Sequence, residues 1–151
     1  VYRAIVHGAF KEQRGTVDKP IGKNKNDFRK WSTGKDLRGT VREAVTEYKV
    51  LYSSKEFSYI EIYPKTGRTH QIRVHMSHIR YPLVGDPTYG GRFRLPSGCD
   101  EKLQATLQGF KRQALHAYQL ILLHPVTKEE MQWQAPLADD IQQLLTKLET
   151  I

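Results

Sequence analysis

The stretch KTGRTHQIRVHM, residues 65–76, decides the fold because its sequence period changes within a few residues. Residues 57–63, just before it, alternate apolar and polar side chains, which indicates a strand. Residues 64–67 have the proline and glycine of a tight turn. The apolar side chains that follow recur at the spacing of one helical face, so we predict a helix over about 69–79 with Thr69 as its N-cap. A strand therefore turns sharply into a short helix at this point.

The first turn of this predicted helix carries three basic side chains, Arg68, His70 and Arg73. Backbone N–H groups at a helix start and two guanidinium groups together favour an anion. Two interpretations remain open from this chemistry alone. The turn is either a binding site for an anion or a surface joint whose arginines are only solvated.

The composition is that of a basic, folded domain. The chain has 151 residues, of which 38% are hydrophobic and 26% charged. Its net charge of +8 favours a polyanionic partner, with a merely soluble basic protein as the alternative. The single cysteine, Cys99, excludes an internal disulfide and suits a reducing compartment, so we expect a cytoplasmic protein. No apolar run approaches the roughly eighteen residues of a membrane helix, and we expect no membrane partner.

Residues 11–40 are basic and rich in Gly, Asn and Asp. Within them, residues 16–21 and 28–31 are compatible with short strands. One interpretation is a long, mobile, solvated loop; the other is a basic arm that contacts RNA phosphates, which need positive charge but no fixed sequence. For that second role we single out four residues: Lys23, Lys25, Arg29 and Lys30.

The remaining patterns predict an α+β fold with a mixed, mostly antiparallel sheet and packed helices. Strands are predicted near 2–8, 44–53, 57–63, 115–123 and 130–134, further helices near 100–110 and 138–149, and a loop with exposed Arg92 and Arg94 at 92–98. Residues 115–123 are almost continuously apolar, which predicts a strand buried on both faces, with His116 and His124 as core histidines.

Motifs for metal or cofactor chemistry are missing from the sequence. The histidine spacings do not match a zinc helix, and no cysteine pair assists, so we predict no metal site. No phosphate-binding or dinucleotide fingerprint occurs, so we predict no organic cofactor. Asp86 lies in a turn rich in proline and glycine. We interpret it as a carboxylate that caps the turn or pairs with an arginine, rather than as a catalyst.

Three segments resemble the RluA/RluD type of RNA pseudouridine synthases. The stretch TGRTHQIRVHMSHIRYPLVGDPTYGG, residues 66–91, resembles the signature of that family. Residues 1–8, VYRAIVHG, resemble its Tyr-x-Ala-x-Val-x-Gly strand. RQALHA at 112–117 and LLHP at 122–125 resemble its Leu-His-Ala…His-Pro segment. The resemblance is nearest to the RluD type, which acts on large-subunit ribosomal RNA.

This resemblance implies an RNA-modifying activity and a set of site residues. A target uridine is flipped into a pocket, where an aspartate attacks the nucleoside. Its base then detaches, rotates and is rejoined to the ribose through carbon. Arg73 matches the arginine that pairs with the aspartate, and Tyr2 matches the tyrosine that stacks on the flipped base. Leu115 matches an apolar residue near the base. Taken alone, Tyr2 is equally an ordinary strand aromatic and Leu115 plain core. The further residues assigned to substrate binding are Arg68, His70 and Ile72.

One departure from the family pattern concerns the catalytic aspartate. That residue lies in an Arg-Leu-Asp motif upstream of the Tyr-x-Ala strand, and no Arg-Leu-Asp occurs in these 151 residues. We therefore expect residues 1–151 to be the C-terminal part of such a catalytic domain, without the upstream strands and the motif, and to be inactive alone. We also expect exposed apolar sheet surface, and Arg73 with unsatisfied donors held by water or an anion.

Two alternatives to an isomerase remain. The chain is then a non-catalytic RNA-binding module of the same fold, or a basic structural protein of the ribosome or its assembly. The last alternative predicts no cleft lined jointly by Tyr2, Arg73 and Leu115, because its motif would serve only packing.

Overall fold

The computed structural model describes residues 1–34, 37–90, 95 and 99–149. The predicted loop at 92–98, with Arg92 and Arg94, falls outside these residues except for position 95. In chain order the elements are β1 (Tyr2–His7), β2 (Arg14–Asp18), β3 (Ile21–Asn24), β4 (Trp31–Ser32), β5 (Leu37–Arg42), β6 (Val45–Ser53), β7 (Phe57–Pro64), α1 (Gln71–His78), α2 (Glu101–Gly109), β8 (Leu115–Ala117), β9 (Gln119–Leu123), β10 (Glu130–Gln134) and α3 (Asp139–Leu148). None of the described helices has the length and apolarity needed to cross a bilayer.

A five-stranded antiparallel sheet forms the centre of the molecule, with strand order β2-β6-β7-β1-β8. In this sheet β1 lies between β7 and β8, so Tyr2 is opposite Ile62 on one side and Ala117 on the other. All the strand pairs among the described residues are antiparallel. The prediction of an α+β fold with a mostly antiparallel sheet is confirmed.

The two faces of this sheet carry separate cores because side chains alternate along β1 and β7. One face packs its apolar residues against α1, where Ile72 and Met76 are buried. The other face packs against α2 and α3 through the helical stripes that the sequence predicted, namely Leu103, Leu107, Ile141, Leu144, Leu145 and Leu148. The fold is thus a sheet with α1 on one side and two helices on the other.

The start of α1 differs from the prediction. The helix begins at Gln71, and the residue before it, His70, is left-handed with φ 54° and makes no side-chain cap. Thr69 is therefore not the N-cap. The backbone N–H of Arg68 instead donates to the Gln71 side-chain oxygen at 3.0 Å, and the Thr66 hydroxyl donates to the same oxygen. The side chain of Gln71 thus closes the turn that precedes the helix.

The described residues of the segment 11–40 form strands, so its interpretation as one long loop is wrong. One of its strands, β2, joins the main sheet, whereas β3, β4 and β5 form a separate three-stranded sheet with order β4-β3-β5. We call this second sheet the small sheet. Sparse apolar anchors hold the segment, because Val17 and Ile21 are only 4% and 2% exposed. Ile21 packs with Ala44 and with Val74 of α1, which ties the small sheet to the rest of the fold.

The apolar run at 115–123 is not one strand buried on both faces. It divides at Tyr118 into β8, which pairs with β1, and β9, whose one partner among the described strands is β10. Residues 120–123 on β9 are between 43% and 67% exposed, so the expected apolar sheet surface lies on this hairpin. His116 and His124 are half-buried and bond backbone groups, so they are not core histidines.

Candidate active site

A cleft of about 420 Å³ lies where β1, β8 and the β7–α1 turn meet. Six residues singled out from the sequence line it together: Tyr2, Arg68, His70, Ile72, Arg73 and Leu115. They come from three distant parts of the chain. A joint cleft of Tyr2, Arg73 and Leu115 contradicts the hypothesis that the motif serves only packing.

The sheet positions the apolar side of the cleft. Tyr2 lies at the start of β1, and Leu115 begins β8, where it is opposite Ala4. Both side chains are half-buried and pack against the core on the α1 side of the sheet, next to Ile72. The cleft therefore has one aromatic and two aliphatic walls that are fixed by regular structure.

Arg73 makes a two-pronged ion pair with Asp86. Its Nε and Nη2 groups donate to the two carboxylate oxygens, each at 2.8 Å, and the Asp86 side chain is fully buried. Burial alone raises the pKa of Asp86. The bonds from Arg73 and from the backbone N–H groups of Tyr89 and Thr88 outweigh that effect and leave the pKa below its usual value. The expectation that Arg73 has unsatisfied donors is wrong for these two groups, whereas the interpretation of Asp86 as a carboxylate that caps the turn and pairs with an arginine is confirmed.

The guanidinium of Arg73, which lines the cleft, keeps donors that Asp86 does not use. An arginine has five N–H bonds, and Asp86 accepts from Nε and Nη2 only. Nη1 of Arg73 has no hydrogen-bond partner among the described residues, and the ring of Tyr89 lies 5.0 Å from the guanidinium carbon. Asp86 thus fixes the orientation of Arg73 while a second anion can still bind to it.

Tyr89 links this arginine to the small sheet. Its hydroxyl accepts the backbone N–H of Trp31 at 2.9 Å and is hydrogen-bonded to Nδ1 of His70 at 2.8 Å. Burial, followed by the nearby positive charge of Arg73, lowers the pKa of His70, so this imidazole is neutral at pH 7. Sequence reasoning did not assign Tyr89 a role, although it lies within the resembling signature.

A buried polar network under the cleft was also missed. The Gln71 side-chain nitrogen donates to the Val45 carbonyl and to the Thr46 hydroxyl, and Nδ1 of His75 is 2.7 Å from that hydroxyl. Nε2 of His75 is 2.9 Å from the carbonyl oxygen of Lys19, and burial lowers the pKa of His75. The available signal was two polar residues four apart on a short helix, which share one face.

The four residues assigned to RNA phosphates lie away from this cleft, on β3 and the turn after it. Lys23 is exposed on β3, and Lys25 is exposed in the turn. Arg29 pairs with Asp27 at 3.1 Å, so part of its charge is compensated. Lys30 is half-buried and lines a smaller cleft beside Tyr89. In the described part of the chain, no group of three or more His, Cys, Asp or Glu residues could hold a metal ion.

Comparison with known proteins identifies the family. A family model described as RNA pseudouridylate synthase matches residues 1–78. The chain is 46% identical over 148 residues to the ribosomal large subunit pseudouridine synthase D of Pseudomonas aeruginosa, which covers 98% of this chain and 45% of that protein. It is 44% identical over 144 residues to the protein of the same name from Escherichia coli, which covers 95% of this chain and 43% of that protein.

Two solved structures have the same fold. The human protein named RNA pseudouridylate synthase domain containing 4 matches with a TM-score of 0.73 at 29% identity, over 98% of this chain and 61% of that one. Its relative, domain containing 1, matches with a TM-score of 0.68 at 26% identity, over 99% of this chain and 65% of that one. The chain therefore belongs to the RNA pseudouridylate synthase family, as the resemblance indicated, and it spans less than half the length of the curated relatives named here.

Proposed function

We propose that this chain serves an enzyme that isomerises uridine to pseudouridine in large-subunit ribosomal RNA, in the cytoplasm. The observation that carries the proposal is the cleft in which Tyr2, Leu115 and an Asp86-anchored Arg73 meet. Its volume of about 420 Å³ is in the range of small-molecule sites and can take a flipped base. The names of the relatives supply the substrate class.

In the proposed reaction the walls of the cleft hold the base, and Arg73 binds the negatively charged carboxylate that attacks the nucleoside. The ring of Tyr2 stacks on the flipped uracil, and Leu115 and Ile72 pack against its edge. A carboxylate attacks C1′ as the N1–C1′ bond breaks, the detached base rotates, and C5 then displaces the carboxylate from C1′ as the C5–C1′ bond forms. The proton on C5 then leaves, and N1 carries a proton in the product.

The attacking carboxylate comes from outside these 151 residues in this proposal, because they contain no Arg-Leu-Asp motif. Asp86 cannot take that role while both its oxygens accept from Arg73 and its Oδ1 also accepts from the turn. The donors left on Arg73 suit a second carboxylate, which must stay ionised in a partly buried site to act as a nucleophile. His70 and Arg68 lie on the same cleft, where sugar and phosphate groups would meet them.

A chimera tests this function directly. The matching 144 residues of the Escherichia coli relative are replaced by this chain, and the product is incubated with an unmodified large-subunit ribosomal RNA transcript. We expect pseudouridine from the chimera and none from the 151-residue chain alone. Arg73→Met should abolish turnover, and Arg73→Lys should impair it strongly, because lysine keeps the charge but loses the planar fork.

Arg112→Met is the matched control, since Arg112 makes an equally two-pronged pair with Asp140 but on an exposed surface. Near-normal turnover of Arg73→Met, with Arg112→Met also active, would show that the wrong arginine is assigned. A chimera that folds and binds RNA without making pseudouridine would favour the RNA-binding module instead.

A further inference from the structure

A second cleft, of about 500 Å³, lies between the small sheet and the turn at 67–69. We call it the basic cleft. It shares Gly67 and Arg68 with the cleft of Tyr2 and Arg73, so the two clefts adjoin at these residues. Its other charged walls are Lys23, Arg38 and Arg42, and its aromatic wall is Trp31.

Among the described residues, no carboxylate compensates the positive charge of the basic cleft. No carboxylate lines it, and among the described residues Lys23, Arg38, Arg42 and Arg68 make no salt bridge. The arginines that do have carboxylate partners lie elsewhere. Four cations around one concave surface, with no acidic group between them, form a site for several phosphate groups.

Backbone carbonyl groups hold two of these guanidinium groups, those of Arg68 and Arg38, in place. Nε of Arg68 donates to the carbonyl oxygen of Glu43 at 2.7 Å, and Nε of Arg38 donates to that of Asn24 at 3.2 Å. Arg38 also lies over the ring of Phe28, at 4.4 Å. In both residues the terminal nitrogens keep their donors, which are the groups that bind phosphate oxygens.

Trp31 gives the basic cleft a rigid aromatic surface. Its backbone N–H donates to Tyr89, and its half-buried side chain packs against the cluster of Ile21, Ala44 and Val74. Lys23 Nζ lies 5.7 Å from the indole centroid. A fixed aromatic ring beside cations is the arrangement on which single-stranded nucleic acids stack their bases.

We propose that the basic cleft binds the single-stranded RNA next to the flipped uridine, with its phosphates on Arg38, Arg42, Arg68 and Lys23 and one base stacked on Trp31. This inference rests on the proposed function for the identity of the ligand as RNA. It adds Trp31, Arg38 and Arg42 to the binding residues and gives the small sheet a role in positioning the substrate. Because Arg68 lines both clefts, one strand of RNA can occupy both of them.

The test uses the indole itself as the reporter. Of the two tryptophans, Trp133 lies exposed on β10, so the Trp133→Phe variant leaves Trp31 as the single indole. We titrate it with a hexauridylate at low salt and expect quenching of the Trp31 emission. Inorganic phosphate at the same phosphate concentration should quench far less, because it cannot stack. Equal quenching by phosphate would overturn the stacking role.

Two sets of variants test the charges and the ring, by fluorescence anisotropy of a labelled hexauridylate. Arg38→Gln with Arg42→Gln should weaken binding about tenfold and flatten the salt slope by about 1, whereas Lys102→Gln with Lys111→Gln, which are exposed on the far side of the sheet, should change it less than about twofold. Trp31→Leu should weaken binding about tenfold, and Trp31→Phe less than about threefold.

Unchanged binding by the Arg38/Arg42 pair, in a variant whose thermal unfolding matches the parent's, would overturn the proposal. The outcome is independent of the isomerase assay. Quenching of Trp31 in a chimera that makes no pseudouridine would sink the proposed reaction but not the basic cleft. Turnover by the chimera, together with unchanged RNA binding by these variants, would overturn the role of the basic cleft but not the proposed reaction.

Discussion

Asp86 is the residue on which the geometry of Arg73 depends. Both its oxygens are engaged, and its side chain is fully buried, so removal of its charge strands a guanidinium that is only 12% exposed. Asp140 makes the same kind of pair with Arg112 on an exposed surface. The two pairs differ in burial and not in geometry, which makes them a matched test of what burial adds.

Asp86→Asn should destabilise the fold by about 2–4 kcal/mol, because it breaks a buried charge pair. Asp140→Asn should cost less than about 1 kcal/mol, because water screens that pair. Urea unfolding at pH 7 measures both. The contribution of Asp86 should be present above the usual carboxylate pKa and disappear as the pH falls through the lowered pKa of the folded state. Equal costs at the two sites would contradict the role assigned to Asp86.

The burial of His75 gives rise to a second pH dependence of stability, this time from a group that is neutral rather than charged in the folded state. It is fully buried and neutral, and its pKa is lowered from 6.5, so the unfolded chain binds the proton more readily than the folded chain. Stability should therefore fall as the pH is lowered from about 6.5, by up to about 1.4 kcal/mol for each pH unit. His75→Gln should be less stable at pH 8 but should lose less stability between pH 6.5 and 5. His78→Gln is the control, because it replaces an exposed histidine on the same helix.

At the scale of elements, α3 and the hairpin of β9 and β10 are opposites. Leu144 on α3 is fully buried, whereas Leu123 on β9 is 67% exposed, although both are leucines in regular structure. The hairpin pairs only with itself among the described strands, and water reaches its apolar side chains. Such a surface promotes association.

Leu144→Ala should cost about 2–5 kcal/mol of unfolding free energy, because it leaves a cavity in the α2–α3 core. Leu123→Lys should change stability by less than about 0.5 kcal/mol and lower the light scattering of concentrated solutions. Thermal unfolding and static light scattering measure the two effects. A large loss of stability in Leu123→Lys would mean that β9 is covered in solution.

The elements also show what local sequence can predict. Strands β1, β6 and β7 and helices α2 and α3 follow from periodicity, because their apolar side chains recur at the spacing of a strand or a helix and pack into one of the two cores. The pairing of β2 and of the small sheet did not follow, because their buried anchors, Val17 on β2 and Ile21 on β3, are diluted among charged residues. The composition of residues 115–123 correctly predicts strands, but it does not predict which strands they pair with. Whether a strand is covered depends on residues far along the chain.

The candidate site divides in the same way. The resemblance located Tyr2, Arg73 and Leu115, and turn chemistry alone suggested the role of Asp86. Tyr89 and Gln71 were missed because their partners are distant. The hydroxyl of Tyr89 meets Trp31, 58 positions away, and the amide of Gln71 meets Val45, 26 positions away. Hydrogen bonds at such separations leave no periodic trace in the sequence.

At the scale of the whole molecule, the net charge of +8 should make RNA binding strongly dependent on salt. About four phosphate contacts on a single strand give a slope of log affinity against log salt of roughly −3. Replacement of Lys23, Lys25, Arg29 and Lys30 by Ala should flatten that slope, with Arg29 contributing least because it pairs with Asp27.

A filter-binding titration between 50 and 200 mM salt, the range of about fourfold over which such slopes are visible, measures this effect. The control replaces the same number of basic residues, all exposed and outside the small sheet: Lys102, Lys111, Lys128 and Lys147. A slope that is unchanged by the first set, or flattened equally by both, would remove β3 and its turn from the RNA interface.

The place of β1 in the main sheet has a consequence for the order of events on the ribosome. Tyr2 is synthesised about 115 residues before Ala117 of its partner strand β8, which at ordinary rates of synthesis is an interval on the order of ten seconds. β7 is made about midway through that interval, and from then on β1 can pair with β7 but keeps one open edge. The centre of the sheet is therefore closed well after it is begun. Until β8 is made, the open edge of the strand of Tyr2 is available to wrong partners.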